Sequence, residues 1–114
     1  MINRRLNKRI NLKPPIAAKA KIFEFENVEL VSDRYALFHV ENISLTGLRL
    51  RSDLDFPIMK ELILSLEVSL FGRENYLLGT IVWKKKSGEQ FVYGFEIRST
   101  NIGYMQSVTL LTKE

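Results

Sequence analysis

The segment Leu62-Ile63-Leu64-Ser65-Leu66-Glu67-Val68-Ser69-Leu70 is the most regular in the chain. Successive side chains of a strand point to opposite faces, so Leu62, Leu64, Leu66, Val68 and Leu70 fall on one side and Ser65, Glu67 and Ser69 on the other. A helix would scatter the same leucines around its circumference. The segment therefore predicts a strand with one dry face, and such a face must be covered by other parts of the chain.

Toward the C-terminus, Gly72 opens a short loop and Tyr76 to Lys86 returns as a second strand bearing the sole tryptophan, Trp83. Ser87-Gly88 is a tight hairpin signal. Phe91, Tyr93, Phe95 and Ile97 alternate in a last strand. Ser99, Thr100 and Asn101 are each suited to cap a helix, and Ile102, Met105, Val108, Thr109 and Thr112 follow at helical spacing.

Toward the N-terminus, Leu48 and Leu50 alternate with Arg49 and Arg51, and Tyr35 to Glu41 places Ala36, Phe38 and Val40 on one side. Lys19 to Leu30 alternates until Ile22-Phe23 breaks the phase, which predicts a bulge or a split strand. Pro14-Pro15 excludes a helix and forces an extended entry. About six antiparallel strands at hairpin-like spacing in 114 residues predict an all-β, six-stranded antiparallel barrel. A short C-terminal helix would cover one opening. The expected division is a flexible basic arm at residues 1–14 and a barrel domain at 15–114.

A chain of 114 residues with 46% hydrophobic content suits a single folded domain. No apolar run approaches a membrane span, and there is no cleavable leader pattern. Without cysteine there is no disulfide framework, so a cytoplasmic setting is expected. Charge is unevenly placed. Residues 1–21 hold Arg4, Arg5, Lys8, Arg9, Lys13, Lys19 and Lys21 and no acid, a charge of +7; residues 22–114 carry −3. A basic arm on a mildly acidic body suits an anionic partner, although basic N-termini also serve solubility alone.

Catalysis finds little support. His39 is the only histidine and lies inside an alternating strand, and zinc sites built on cysteine or paired histidines are excluded. Asp53 and Asp55 share a loop with nothing nearby expected to partner them. No enzyme, cofactor or metal is expected. Binding chemistry is better supplied. Arg5 and Arg9 are four apart with Arg4 before them, and an arginine fork grips phosphate bidentately or reads the O6 and N7 edge of guanine. Between two strands, Asn42, Ser44 and Gly47 stand as N-x-S-x-x-G. The three can simply shape a turn, or they can present donors, acceptors and an unobstructed backbone to a guanine edge.

Together, Arg5-Leu6-Asn7-Lys8-Arg9 and Asn42-Ile43-Ser44-Leu45-Thr46-Gly47 resemble the paired motifs of the PilZ domain family. Leu48-Arg49-Leu50-Arg51-Ser52, Gly79-Thr80-Ile81-Val82-Trp83 and Tyr93-Gly94-Phe95-Glu96-Ile97 resemble its continuation, middle strand and closing strand, so the likeness spans residues 3 to 112. It implies a PilZ-type barrel and a receptor for cyclic di-GMP, a ring of two guanosines joined by two phosphates. By that resemblance Arg5 and Arg9 contact phosphates and guanine faces, Asn42 and Ser44 hydrogen-bond a guanine edge, and Gly47 admits the base. Arg4 matches members with a further arginine, which take two stacked ligand molecules. Trp83 is either a contact at the barrel surface or a core residue. Many members carry Asp at the position of Asn42; an amide offers one oxygen acceptor and a donating NH₂, which implies a weaker grip.

The expected mechanism is that the messenger bridges the arm and the N-x-S-x-x-G turn and so orders the arm. With Arg5 only four residues after Met1, no upstream domain is expected to receive the signal, which passes to an unidentified protein partner. Two other readings stand beside it. A small barrel could bind single-stranded nucleic acid through the arm and Lys84-Lys85-Lys86, a less favoured partner, or a PilZ-like adaptor could dock a protein without nucleotide.

Overall fold

The computed structural model describes residues 8–26, 28–29, 35–70 and 72–112. Seven strands appear in the order β1 (Ile10–Phe25), β2 (Val28–Glu29), β3 (Ala36–Ile43), β4 (Gly47–Ser52), β5 (Leu62–Leu70), β6 (Arg73–Ser87) and β7 (Gln90–Thr100), followed by one helix, α1 (Ile102–Thr112). The sheet runs β2-β1-β3-β4-β7-β6-β5, and a further β1–β5 pairing joins its ends. The six long strands are thus a closed antiparallel barrel, with β2 a two-residue flap on the end of β1. Closure pairs Ala18–Phe25 of β1 with β5, so the two ends of the sheet cover each other there.

The alternation that predicts these strands also builds the core. Leu62, Leu64, Leu66, Val68 and Leu70 of β5 are all buried, facing Phe38 and Val40 of β3, Leu48 and Leu50 of β4, and Tyr93 and Phe95 of β7. Each such side chain contributes about 1.5–3 kcal/mol on leaving water. Phe56 lies against the end of the barrel nearer the start of β5, packed on Phe38 with ring centroids 5.5 Å apart. Beside them, Tyr93 accepts the Phe56 N–H and donates to the Leu54 carbonyl. The expected interruption at Ile22-Phe23 is a bulge: Ile22 pairs with Leu64 and Glu24 with Ile63, leaving Phe23 as the extra residue.

Three expectations change. The sheet takes in residues 10–14, part of the expected arm: Ile10 pairs with Ile43 and Asn11 with Asn42 before the register shifts to Ile16 and Val40. Pro14 and Pro15 occupy that irregular stretch, before β1 begins to pair with β5 at Ala18, so their missing N–H groups interrupt no regular ladder. The helix keeps Val108 inward as expected but buries a shifted face around it. Tyr104, Ser107 and Val108 are buried, whereas Met105 and Thr109, expected on the apolar stripe, are exposed. The tyrosine ring outweighs the more flexible Met105 as filling for the barrel end. Finally, Asp53 and Asp55 are not without partners, since Gln90 donates to Asp53 and Lys84 pairs with Asp55.

Candidate ligand-binding site

The N-x-S-x-x-G corner joins β3 to β4 at the end of the barrel where β1 begins. Ser44 is the hinge pin. Its hydroxyl accepts the N–H groups of Thr46 and Gly47 at 3.2 and 3.1 Å and donates to the Gly47 carbonyl at 3.2 Å. One donor and two acceptor positions exhaust a hydroxyl, and the residue is only 1% exposed. The Ser44 N–H closes the same loop onto the Gly47 carbonyl at 2.9 Å.

Gly47 is required for space. A Cβ placed there would stand 2.7 Å from the Phe95 carbonyl oxygen of β7, a backbone atom that cannot step aside. Its φ is not positive; only Gly72 and Gly88 show that among the glycines described. The close approach read from the sequence is therefore made by β7. The Arg9 guanidinium lies on the open side, with Nη2 3.7 Å from the same hypothetical Cβ.

Arg9, one residue before β1, donates from Nη1 to Oδ1 of Asn42 at 2.9 Å. Arg9 and the corner thus meet, because Asn11 and Asn42 are register partners and Arg9 is carried to the same barrel end. Of the residues singled out in the sequence, the structure gathers Arg9, Asn42, Ser44 and Gly47. Arg4 and Arg5 lie outside the described residues.

Behind the corner, Tyr104 of α1 donates its hydroxyl to the Ser44 carbonyl at 2.6 Å. Burial raises its pKa, while the Arg9 charge pulls the other way, so the group stays protonated and donating at neutral pH. Asn101 anchors the start of the helix: its Oδ1 accepts the Tyr76 N–H of β6 at 3.0 Å. Removing only the phenolic oxygen should leave a buried carbonyl without that donor. Tyr104→Phe is expected to lower stability by about 1–2 kcal/mol, read as a shift in the urea midpoint with an unchanged slope.

Outside the barrel, Trp83 is 40% exposed, which decides between the two sequence readings in favour of the surface. The cause is a bulge. Ile81 pairs with Phe95 and Trp83 with Gly94, so Val82 is the extra residue and Trp83 turns outward. Its indole then lies on Gly94, where a Cβ would fall 2.0 Å from Nε1. The Arg49 guanidinium stands 6.0 Å from the indole ring, the outer limit of a cation–π contact.

A second bulge shapes the neighbouring wall. Val40 pairs with Leu50 and Asn42 with Arg49, leaving Glu41 as the extra residue. Its carboxylate bridges Arg49 and Arg51, accepting from Nε of each at 3.1 and 2.8 Å. Asn11, Leu12 and Lys13 of β1 face Glu41, Asn42 and Arg49 across an open cleft of about 400 Å³. Glu41, Arg49 and Tyr104 were not singled out by sequence reasoning. The alternation of Arg49 and Arg51 was the available signal for two outward cations, but the bulge that brings Glu41 between them has no turn residue to betray it.

These features define a closed β-barrel whose helix-covered end carries an exposed arginine held to a strand-connecting corner, beside a cationic cleft. Such an arrangement supplies exposed hydrogen-bond donors and positive charge at one barrel end. The PilZ domain family model matches residues 3–112, and the chain belongs to that family, a receptor family that binds cyclic di-GMP and effector proteins. PilZ domains are binding domains and not enzymes. Comparison with curated proteins returns no significant match. Among the described residues no helix is long and apolar enough to cross a membrane.

Proposed function

We propose that this domain is a cytoplasmic cyclic di-GMP receptor in which Arg9 and Asn42 grip the messenger at the β3–β4 corner. The observation that carries the reading is the Arg9–Asn42 hydrogen bond, which holds an arginine fork and an amide side by side on an exposed surface. Arg9 keeps further N–H donors for phosphate oxygens or for the O6 and N7 edge of guanine. Asn42, with Arg9 on its oxygen, keeps its NH₂ donors and a remaining lone pair for the base.

Arg4 and Arg5 join Arg9 as ligand contacts in this reading, with Arg4 favouring a second stacked molecule. Ser44 and Gly47 act chiefly by fixing the corner, since the hydroxyl is already saturated and the glycine is pressed against β7. Direct contact of Ser44 with a base would require one of its turn bonds to be given up. Trp83 offers an exposed aromatic face near Arg49. Ligand bound at the corner reorganises the leading segment, and a separate protein partner reads the altered surface. Part of the contact energy is spent on ordering, so a dissociation constant on the order of 1 μM, about −8 kcal/mol, is expected.

Calorimetric titration with cyclic di-GMP, with a single-stranded oligonucleotide in parallel, tests the assignment. Saturable heat with cyclic di-GMP at micromolar concentration, and a change in the fluorescence of Trp83, are the expected results. Preference for the oligonucleotide with steep salt dependence would replace this reading with nucleic-acid binding. Silence toward both would leave an adaptor that docks protein alone.

A further inference from the structure

We infer that Arg49 is a further anion-gripping residue of this site and that Glu41 restrains it, so that the pair sets selectivity among anionic ligands. The inference rests on the cyclic di-GMP reading above and deepens it.

Glu41 and Asn42 are consecutive, and both line the cleft with Arg49 and Lys13. The Glu41 carboxylate is divided, one oxygen to Arg49 and the other to Arg51. The two arginines are not equivalent. Arg51 is held at 2.8 Å, its side chain is 29% exposed, and it pairs with His39 farther along β3. Arg49 is held at 3.1 Å and is 44% exposed; it pairs with Asn42, lines the cleft, and stands beside the outward Trp83. Arg51 is the structural partner, and Arg49 is the one available to a ligand.

An ion pair this exposed holds its partner weakly. A phosphate accepting from the guanidinium fork makes shorter, charge-assisted and often bidentate bonds, so it can draw Arg49 away from a single carboxylate contact through Nε. The carboxylate then remains near the phosphate as a like charge. A ligand with two phosphates and two bases gains enough contacts to offset that repulsion; a mononucleotide does not. Glu41 therefore costs affinity for every anion and excludes the smaller ones, which is selection by built-in repulsion.

The test is calorimetric titration of cyclic di-GMP and of GMP into the wild-type protein and the Glu41→Gln, Arg49→Gln and Arg51→Gln variants, with thermal melts to verify folding. Removing one charge beside a partly screened site should tighten cyclic di-GMP binding about fivefold in Glu41→Gln and bring GMP into measurable range. Arg49→Gln should weaken cyclic di-GMP binding about tenfold, while Arg51→Gln leaves it within about twofold of the wild type. Wild-type binding that is unaltered by Glu41→Gln or by Arg49→Gln overturns the inference alone. If the wild type does not bind cyclic di-GMP, the receptor reading falls and this inference falls with it.

Discussion

Arg9→Ala is expected to lose about a hundredfold in cyclic di-GMP affinity while melting almost as the parent protein does. Arg9 precedes β1 and is exposed, and it contributes nothing to the buried core. Its one side-chain hydrogen bond within the described protein, to Asn42, is at the surface and adds little to stability. Bound to phosphate or guanine, the same fork would make charge-assisted bonds, and losing two of them amounts to about 3 kcal/mol. Arg9→Lys keeps the charge without the planar fork and should fall between the two. Paired calorimetry and thermal melts separate binding from folding. Affinity in Arg9→Ala equal to the parent's would remove the leading segment from the site.

Gly47→Ala should behave in the opposite way, damaging fold and binding together. The added methyl would sit 2.7 Å from the Phe95 carbonyl, across the β4–β7 pairing of Gly47 with Glu96 and Leu48 with Phe95. Backbone cannot rotate out of the way as a side chain can, so the strands must separate locally. Overpacking of this kind costs about 1–3 kcal/mol. Because Ser44 bonds to both the N–H and the carbonyl of Gly47, the corner would move with it. Chemical denaturation should register the lost stability and calorimetry a weakened or absent cyclic di-GMP response. Parent-like stability and affinity would show that the β4–β7 contact is not the reason for glycine here.

The strands were legible because the two faces of each long strand differ so sharply in polarity. In β5 every alternate residue from Leu62 to Leu70 is buried, so the period survives intact. Closure into a barrel followed from strand number and spacing. Less legible were the places where the chain inserts an extra residue. At Val82 the bulge turns Trp83 outward although simple alternation from Ile81 would place it inside, and at Glu41 a bulge creates the Arg49–Glu41–Arg51 cluster. Neither carries a glycine or proline to mark it. The Pro14-Pro15 pair suggests a boundary because proline usually ends regular structure; an irregular stretch of β1 absorbs it. Tyr104 was missed for a different reason. A tyrosine in a short helix carries no motif, and its role as the donor to Ser44 emerges only when α1 covers the barrel end. Of the candidate site, the corner and Arg9 were visible as motifs, whereas the division of labour within the corner was not. Ser44 spends its hydroxyl inward while Asn42 meets Arg9 at the surface, a split that depends on the three-dimensional turn and leaves no trace in residue type.

Amide and side-chain NMR shifts on addition of cyclic di-GMP report whether Arg9 and the β3–β4 corner enclose the messenger. Saturable perturbations are expected at Arg9, Asn42 to Gly47, Arg49 and the Trp83 indole N–H, with the opposite barrel end around Ile22, Phe56 and Leu64 unperturbed. Shifts confined to that far end, or none at saturating messenger, would contradict that enclosure.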